Sequence, residues 1–449
     1  MDFASPARHA FRLAAAHRLA ALGVAAGALL APGTAGAQSL LELYEAAHAY
    51  DAAYLSARSL AESAPYRVEQ TRALMRPNVT VSAGASRDTV KPPAEYGYDS
   101  NTLQATIGVR QPLFNRANSS SIAQADRSLE SSLADLDSAE QDLMLRVAQA
   151  YFDVLAAQDT LTTTRANKAA IAEQLASAKR NFEVGTATIT DTREAQARFD
   201  LATAQEVTAD NDLVTRRIAL DQLVGRDGVV PRQLRVPVVL PLPTTSLEQL
   251  VADAALDHPA VRRARVAYDI AALETEKARA QGLPTVDAVA SAGGGRSTIA
   301  PGFTGPALNT SIGVQINMPL FAGFAIQNRL KETLLLEERA RNDFDAAQRG
   351  VVQATRQAYY TLQSSAAQVK ALEAAEASSQ LALEATQVGY RVGVRVNVDV
   401  LNAQSQLYQT RRDLARARYD VLLNTLRLDQ QAGRLTPGDV LAINNLLAP

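Results

Sequence analysis

The side chains best suited to chemistry lie where a long helical pattern stops and reverses. Residues 180–195 read RNFEVGTATITDTREA, so Gly185 interrupts an alanine-rich run and Thr190 and Asp191 open the next one. Glycine takes the left-handed conformation that closes a helix, and hydroxyl and carboxylate oxygens accept hydrogen bonds from the first turn of the following helix. The available chemistry is therefore hydrogen bonding and charge placement.

The same pattern returns 208 residues later, which indicates a duplicated helical hairpin. Residues 389–403 read GYRVGVRVNVDVLNA, with Gly393 at the position of Gly185 and with Asn397 and Asp399 as acceptors for the new helix. An acid in the first turn of a helix is favoured by the helix dipole alone. Simple capping therefore explains the acids of both hairpins as well as any functional role does.

Residues suited to catalysis are scarce. The chain has no cysteine, and only His48 and His258 remain if a leader is removed. His258 precedes Pro259 near a predicted helix start, so we expect it to cap or pack rather than to bind a ligand. The glycines at 293–295 lie within a strand pattern, which does not match a phosphate-binding loop. We predict no enzymatic activity, no metal site and no cofactor.

The first residues predict export. Arginines precede an apolar run at 19–31, and residues 35–37 have the small-x-small form of a signal-peptidase site, so we predict a signal peptide at 1–37. The remaining chain carries 42 basic and 46 acidic residues, a balance that does not favour nucleic-acid binding. It contains no second apolar run of about 18 residues, so entry into a membrane would require strands.

Periodicity divides the mature chain into helices and strands. We predict a helix at 39–75, kinked at Pro65 and stopped before Pro77, followed by two segments in which apolar and polar residues alternate. A long helix from about 116 to 181 and a return helix at 190–224 complete this unit.

The second half repeats this order about 207 residues further on. It comprises a helix at 246–281, two alternating segments, a helix at 326–388 and a return helix at 397–431. The four predicted strands contain residues 79–85, 103–109, 286–292 and 308–316. The predicted divisions of the mature chain are a first repeat, an insertion, a second repeat and a tail, at residues 38–226, 227–245, 246–434 and 435–449.

The length of the long helices constrains the architecture. At 1.5 Å per residue, about 65 residues extend roughly 100 Å, which exceeds the depth of an ordinary globular domain. The helices at 190–224 and 246–281 would match this length if they stacked end to end beside the first long helix. The helix at 39–75 would then fill the equivalent place beside the second long helix.

The four strands cannot close a barrel by themselves, and open strand edges are not tolerated in lipid. The smallest closed membrane barrels have about 8 strands, so two copies are the minimum, and three copies would give about 12 strands. The pattern thus favours an oligomeric tube with its strand end in lipid. A soluble periplasmic adaptor or scaffold of helical hairpins, with an ordinary sheet, is the alternative hypothesis.

The chain resembles the TolC-type outer-membrane channels of Gram-negative export and efflux systems. The resemblance rests on the duplicated unit, the Pro-Leu-Phe strand exits at Pro112 and Pro319, the paired Val-Gly turns, and the ending DVLAINN at 439–445. It implies an α+β membrane protein in which a trimeric 12-stranded β-barrel, with four strands per chain, continues into a periplasmic α-helical barrel built from two tandem repeats.

The resemblance also implies a function and partners. Such a homotrimer is a passive exit duct of the Gram-negative outer membrane that spans into the periplasm and contacts outer-membrane lipid. It serves a tripartite efflux pump, a type I secretion system or both. A periplasmic adaptor, also called a membrane fusion protein, and an inner-membrane pump or ABC transporter would recruit it and open its periplasmic end.

Roles at the helical turns follow from the same resemblance. Tyr390 and Arg395 of the second repeat match the residues that bond to a Thr-Asp pair of the first repeat, here Thr190 and Asp191, and hold the entrance closed. We refer to these four residues as the gate lock.

Two further groups of residues are assigned in this way. Asp399 matches the first of two lumen acids that select cations, whereas the second position is Asn402, so one ring would be neutral. The expected adaptor-docking tips are formed by the residues around the two Val-Gly turns: Val184, Gly185, Thr186, Val392, Gly393 and Val394.

Overall fold

The computed structural model describes residues 37–90, 98–235, 245–298 and 304–448. The predicted signal peptide lies outside the described residues except for Ala37. The first repeat contains α1 (Leu40–Tyr50), α2 (Ala52–Arg72), a 3₁₀ turn (Ala73–Met75), β1 (Asn78–Val90), β2 (Tyr98–Phe114), α3 (Arg116–Glu183) and α4 (Ile189–Val224). The second contains α5 (Leu247–Asp257), α6 (Pro259–Ala280), β3 (Thr285–Thr298), β4 (Thr304–Asn317), α7 (Ala325–Arg391) and α8 (Asn397–Gln431), and the tail contains α9 (Pro437–Asn444).

The long helices and their returns confirm the predicted hairpins. Helix α3 has 68 residues and α7 has 67, so each extends about 100 Å. Each ends at a glycine in the left-handed region, Gly185 with φ 78° and Gly393 with φ 81°. Any other residue would be strained at these two positions, which explains why the helices reverse there.

The predicted single helix at 39–75 is wrong in one respect, because the chain breaks at Asp51 and the helix continues through Pro65. Asp51 has extended backbone, ends α1 and caps α2 by accepting the Tyr54 N–H at 2.8 Å. Arg146 of α3 donates to both oxygens of the same carboxylate, each at 2.9 Å. One acid therefore both divides the helix and fixes it to α3.

The predicted helix at 246–281 is likewise divided, at the position equivalent to Asp51. His258 lies 207 residues after Asp51, and its Nδ1 accepts the Ala260 N–H at 3.1 Å while Pro259 begins α6. The predicted capping role of His258 is thus confirmed. Burial, with nearby Arg262 and Arg263, lowers the pKa of His258, which favours the neutral imidazole that this hydrogen bond requires.

The divided helices stack with different partners from those predicted. Helix α4 ends against α1, where Gly225 lies so close to the Tyr50 ring that a Cβ would come within 2.4 Å of it. Helix α8 ends in the same way against the start of α6, where Gly433 lies against His258. Each return helix therefore stacks on the opening helices of its own repeat.

The result is one layer of alternating divided and continuous columns. Helix α3 packs against α2 and α4 on one side and against α6 and α8 on the other, and α7 packs against the far side of α6 and α8. The expectation that residues 39–75 lie beside the second long helix is wrong within one chain, because these residues pack on α3. Helix α7 and the α2–α4 column are the two edges of the layer.

The four strands form one antiparallel sheet in the order β1-β2-β3-β4. The register places Val79, Val109, Ala290 and Ile312 side by side across the sheet. The next row along is Thr80, Gly108, Ser291 and Ser311, with a 2.8 Å hydrogen bond between the two serine hydroxyls. The sheet therefore has one apolar and one polar face, which confirms the predicted alternation.

Strand β2 begins at Tyr98, five residues before the predicted segment at 103–109. Pro112, Leu113 and Phe114 remain within β2, where the register with β3 shifts before α3 starts. At the end of the polar face nearest the helices, Arg110 donates to Asp287 at 2.6 Å. None of the described helices combines the length and apolarity needed to cross a bilayer.

The main core lies halfway along the helical layer. Tyr151 is fully buried there, and its hydroxyl contacts the backbone oxygens of Gln38 and Arg232 at 3.3 and 2.9 Å. Residues of the insertion pair with both ends of the described chain, through the bridges Gln38–Pro231 and Leu234–Leu447. On the second long helix, by contrast, Tyr360 is 58% exposed in the single chain.

Replacing Asp51 with Asn should lower the free energy of unfolding by about 1–3 kcal/mol, because the charge-assisted bonds to Arg146 are lost. Asp51→Ala should cost more, since the Tyr54 N–H then loses its acceptor as well. The thermal midpoint of the purified protein, followed by circular dichroism, measures both changes. Glu62→Gln, in an exposed ion pair of the same helix, is the matched control and should leave the midpoint unchanged.

This contribution should depend on pH in a defined direction. The Arg146 bonds lower the pKa of Asp51, so the stabilisation is complete above the ordinary aspartate pKa of about 3.9 and is lost as the pH falls through the lowered value. The difference between wild type and Asp51→Asn should disappear in strong acid. A difference that persists unchanged there would contradict the assignment.

Candidate functional site at the helical tips

The two helical turns project apolar side chains from the end of the layer opposite the sheet. Val184, Val392 and Val394 are 73, 68 and 76% exposed. The turn backbone is nevertheless bonded internally, because the amides of Thr186 and Val394 donate to Asn181 and Gly389 carbonyls at 2.8 and 2.9 Å. The predicted docking tips are therefore turns with an internally bonded backbone and exposed apolar side chains.

The first-repeat members of the predicted gate lock are turned toward their own hairpin. Asp191 accepts from the Thr188 backbone N–H at 3.0 Å and from the Thr188 hydroxyl at 2.7 Å, and the same hydroxyl accepts the Asp191 N–H. This reciprocal cap is the structural role that an acid in the first helical turn is expected to have. The neighbouring Thr190 is exposed.

The second-repeat members of the lock make other contacts within one chain. The Tyr390 hydroxyl accepts from Asn181 Nδ2 at 3.3 Å, which joins the two hairpins directly. Arg395 lies in the turn before α8, 3.7 Å from Asp399 in the first turn of that helix. Among the described residues, no hydrogen bond connects Tyr390 or Arg395 to Thr190 or Asp191, so a four-residue lock is not assembled by one chain alone.

Two residues at the tip were missed by the sequence analysis. Asn181 supplies the bond to Tyr390, and Gly389 allows the Arg395 chain to cross it, because a Cβ on Gly389 would lie 2.8 Å from Arg395 Cγ. Alignment of the two repeats could have pointed to Asn181, because it occupies the position equivalent to Gly389.

The predicted acceptor role of Asn397 is wrong. Val396 is the N-cap residue of α8, and Asn397 is 2% exposed, with its side-chain oxygen accepting a hydrogen bond from Gln174 of α3. The Asn397 Nδ2 group has no partner among the described residues. A partly buried amide pair thus joins α3 to α8 just inside the tip.

The candidate lumen residues are found on one face of α8. Asp399 is partly exposed, and Asn402 accepts a 3.0 Å hydrogen bond from Arg198 of α4. The structure therefore brings an arginine to the position where the resemblance implied a second acid. Sequence reasoning missed Arg198 because the contact joins residues 204 positions apart.

A tyrosine–aspartate pair lies further from the tip, beside the main core. Tyr419 donates to Asp159 at 2.6 Å, which joins α8 to α3. Burial raises the pKa of Asp159, while the hydrogen bond from Tyr419 acts in the opposite direction. Within the described ranges, no cluster of three or more histidine, aspartate or glutamate residues could hold a metal ion.

The fold and the tip together define a class of protein. Its chain forms a helical layer about 100 Å long with two open edges, an amphipathic sheet at one end and paired helical turns at the other. The family model for the outer membrane efflux protein matches residues 43–226 and 250–434. The chain belongs to this outer membrane efflux protein family.

Individual relatives agree with this assignment. The outer membrane protein TolC of Vibrio cholerae is 33% identical over 412 residues, covering 91% of this chain and 93% of that protein. The alkaline protease secretion protein AprF of Pseudomonas aeruginosa is 33% identical over 352 residues, covering 76% and 72%. The crystal structure of the outer membrane protein VceC from Vibrio cholerae has a TM-score of 0.73 at 19% identity, covering 88% of this chain and 96% of that one.

Proposed function

We propose that this protein is a passive exit duct of the Gram-negative outer membrane, formed by three copies of the chain. In this proposal the duct serves an efflux pump or a type I secretion system. A periplasmic adaptor and an inner-membrane pump or ABC transporter engage its helical tips. Two of the relatives bear names that fit these roles, one an outer membrane protein and the other a protease secretion protein.

The observation that carries the proposal is that the sheet and the helical layer each have two open edges. In the described chain, β1 and β4 each pair on one side only, and the helical layer ends at α7 and at the α2–α4 column. Strands alternate in direction, so β4 of one copy would lie antiparallel to β1 of the next. The same head-to-tail contact would place α7 beside a divided column, which continues the alternation around a ring.

Exposed apolar side chains support this ring. Along the α7 edge, Leu335 and Leu381 are largely exposed, and along the other edge Tyr66, Val207 and Ile218 are too. Exposed apolar side chains on both edges of one chain are expected where copies of the chain meet. Tyr360 would be buried in the same contact, which accounts for its exposure in the single chain.

The sheet faces support a lipid-exposed exterior. Ile312, Leu308 and Val81 on the apolar face are 91, 79 and 75% exposed, and that face would meet lipid if the ring closes as a barrel. The polar face would line the lumen, as in water-filled barrels of about this strand number. The soluble adaptor is disfavoured because this apolar face has no partner within the described chain.

The tip residues fit a closed entrance in this proposal. Asp191 and Thr190 of one copy would be available to Tyr390 and Arg395 of its own or a neighbouring chain, so the gate lock would form between hairpins when the ring assembles. Asp399 would contribute one acidic ring. The exposed valines of the two turns would be the surface that the adaptor engages.

The first test is the mass and conductance of the detergent-purified mature protein. We expect a complex of about three times the chain mass and small cation-preferring openings in a planar bilayer. A species that is soluble without detergent and does not conduct would refute the duct and favour the periplasmic scaffold.

Charge on the apolar face should prevent insertion. Ile312→Arg should reduce the fraction of protein that folds into lipid vesicles, because arginine on the lipid face costs about 2–4 kcal/mol near the membrane midplane. Gly313→Arg is the matched control, since this neighbour belongs to the polar face and has open space around it. Equal insertion of both variants would contradict the assignment of the faces.

Loss of the tip contacts should open the entrance. Tyr390→Phe combined with Arg395→Ser should raise single-channel conductance, and Asn181→Ala combined with Arg395→Ser should do the same if the observed Tyr390 bond holds the hairpins together. Thr162→Ala, a substitution at an exposed site on α3 away from the tip, is the control. Unchanged conductance in both double variants would rule out the gate lock.

A further inference from the structure

A groove above the tip contains polar groups whose binding capacity is not used within the chain. It lies between α4 and α8, with α3 as its floor, and Arg198, Asn402 and Arg412 are among the residues that line it. The 3.0 Å bond from Arg198 to Asn402 closes its lower end. Arg412, ten residues further along α8, lies about 15 Å higher.

The groove is on the concave side of the helical layer. Helices α4 and α8 flank α3 on opposite sides, so in a flat layer their axes would be about 16–20 Å apart. Arg198 could not reach Asn402 across that distance, and Leu401 could not pack with Ala195 and Ala202 as it does. The two helices therefore approach each other on one side of α3, and the concave side of a closed wall faces its lumen.

The arginines of the groove form few ion pairs with described residues, although Asp212 and Asp413 line an adjoining cavity with Arg412. Among the described residues, Arg198 forms one ion pair, with Glu194 at 3.9 Å. Arg412 makes no ion pair with a described residue and donates to the side chain of Gln409, whose amide in turn donates to Asp413 at 2.9 Å. Each copy of the chain thus places two guanidinium groups in the groove with hydrogen-bonding capacity to spare.

The floor carries a second unsatisfied group. Asn167 of α3 lines the groove, is 6% exposed, and its Oδ1 atom has no hydrogen-bond partner among the described residues. A buried amide oxygen without a partner is costly, so an N–H that reached the floor of the groove would find an unused acceptor there. Gln205 and Gln406 add amide groups to the walls between the two arginines.

We propose that this groove binds acidic polypeptide in transit through the lumen, with carboxylates at Arg198 and Arg412 and backbone amides against Asn167. The inference rests on the proposed duct and concerns its cargo. Four to five extended residues span about 15 Å, which matches the separation of the two arginines. A small inorganic anion could contact only one of them and would leave Asn167 unpaired.

The inference also changes the expected charge profile of the entrance. Asp399 lies one turn below a level that would carry three copies of Arg198 in a trimer. A position expected to be neutral would thus be cationic, so a multivalent cation would meet one acidic ring followed by repulsion. An acidic chain that passes the tip would first be repelled at the Asp399 ring and then attracted at the level of Arg198.

The test uses a fluorescein-labelled peptide of eight glutamates and the detergent-purified full-length mature protein at low salt. Fluorescence anisotropy should show binding of this peptide and none of an octalysine peptide. Arg198→Gln and Arg412→Gln should each weaken binding about tenfold, the effect of one charge-assisted hydrogen bond. Arg193→Gln, which removes the same charge from an exposed position of α4 outside the groove, should leave the affinity unchanged.

Asn402→Asp provides an independent check, because it places an acid against Arg198 without removing the arginine and should also weaken binding. Affinity that is unchanged in all three groove variants would overturn the proposal. Equal competition by sulfate at the same charge concentration would overturn the polypeptide assignment in favour of a small-anion site. A preparation that conducts as a trimer but binds no peptide would refute this inference alone, whereas one that does not conduct would refute the duct.

Discussion

A helix of about 100 Å has a side surface that no other single element of ordinary length can cover, and most of this structure follows from that constraint. The helices α3 and α7 are each flanked by two shorter helices placed end to end. In each column one shorter helix must give way to the next at the level of the main core. Asp51 and His258 divide the helices there, at equivalent positions of the two repeats. The ion pair between Asp51 and Arg146 fixes one of these junctions to the long helix.

The packing that results is uneven along the layer. The largest group of buried side chains, including Tyr151 and Leu422, lies at the level of the junctions. Near the tips the buried groups are small and rich in alanine, such as Ala178 and Ala195, and polar bonds like that of Asn181 to Tyr390 supply much of the contact between hairpins. Low apolar contact makes local opening cheap, so the tips can move while the layer above them stays intact.

The sequence was sufficient for features that depend on local pattern. The repeat, the long helices, the return helices and the two sheet faces all follow from periodicity and from glycine at the turns. The junction at Asp51 was not recognised, because a capping side chain inside a helical pattern resembles any exposed polar residue until its partners are known. At His258 the following proline indicated the cap, although the helix at 246–281 was predicted to be continuous. The stacking partners were wrong because helix length alone does not say which ends meet.

The same distinction between local features and long-range contacts holds for the candidate site. Gly185, Gly393 and the acids after them could be located from the sequence, since each acts on its own turn. Arg198 and the buried position of Asn397 could not be predicted, because each depends on the approach of helices that are distant in the chain. The resemblance supplied roles for Tyr390 and Arg395 that geometry within a single chain leaves incomplete.

The even number of strands in one chain has a further consequence for symmetry. Since β1 and β4 run in opposite directions, a copy can join the next with regular antiparallel pairing whatever the number of copies, so strand pairing is indifferent to ring size. The choice of ring order must then come from the angle at which successive helical columns meet. In the proposed ring, the diameter of the pore through the membrane would then be set outside the membrane, by helix packing.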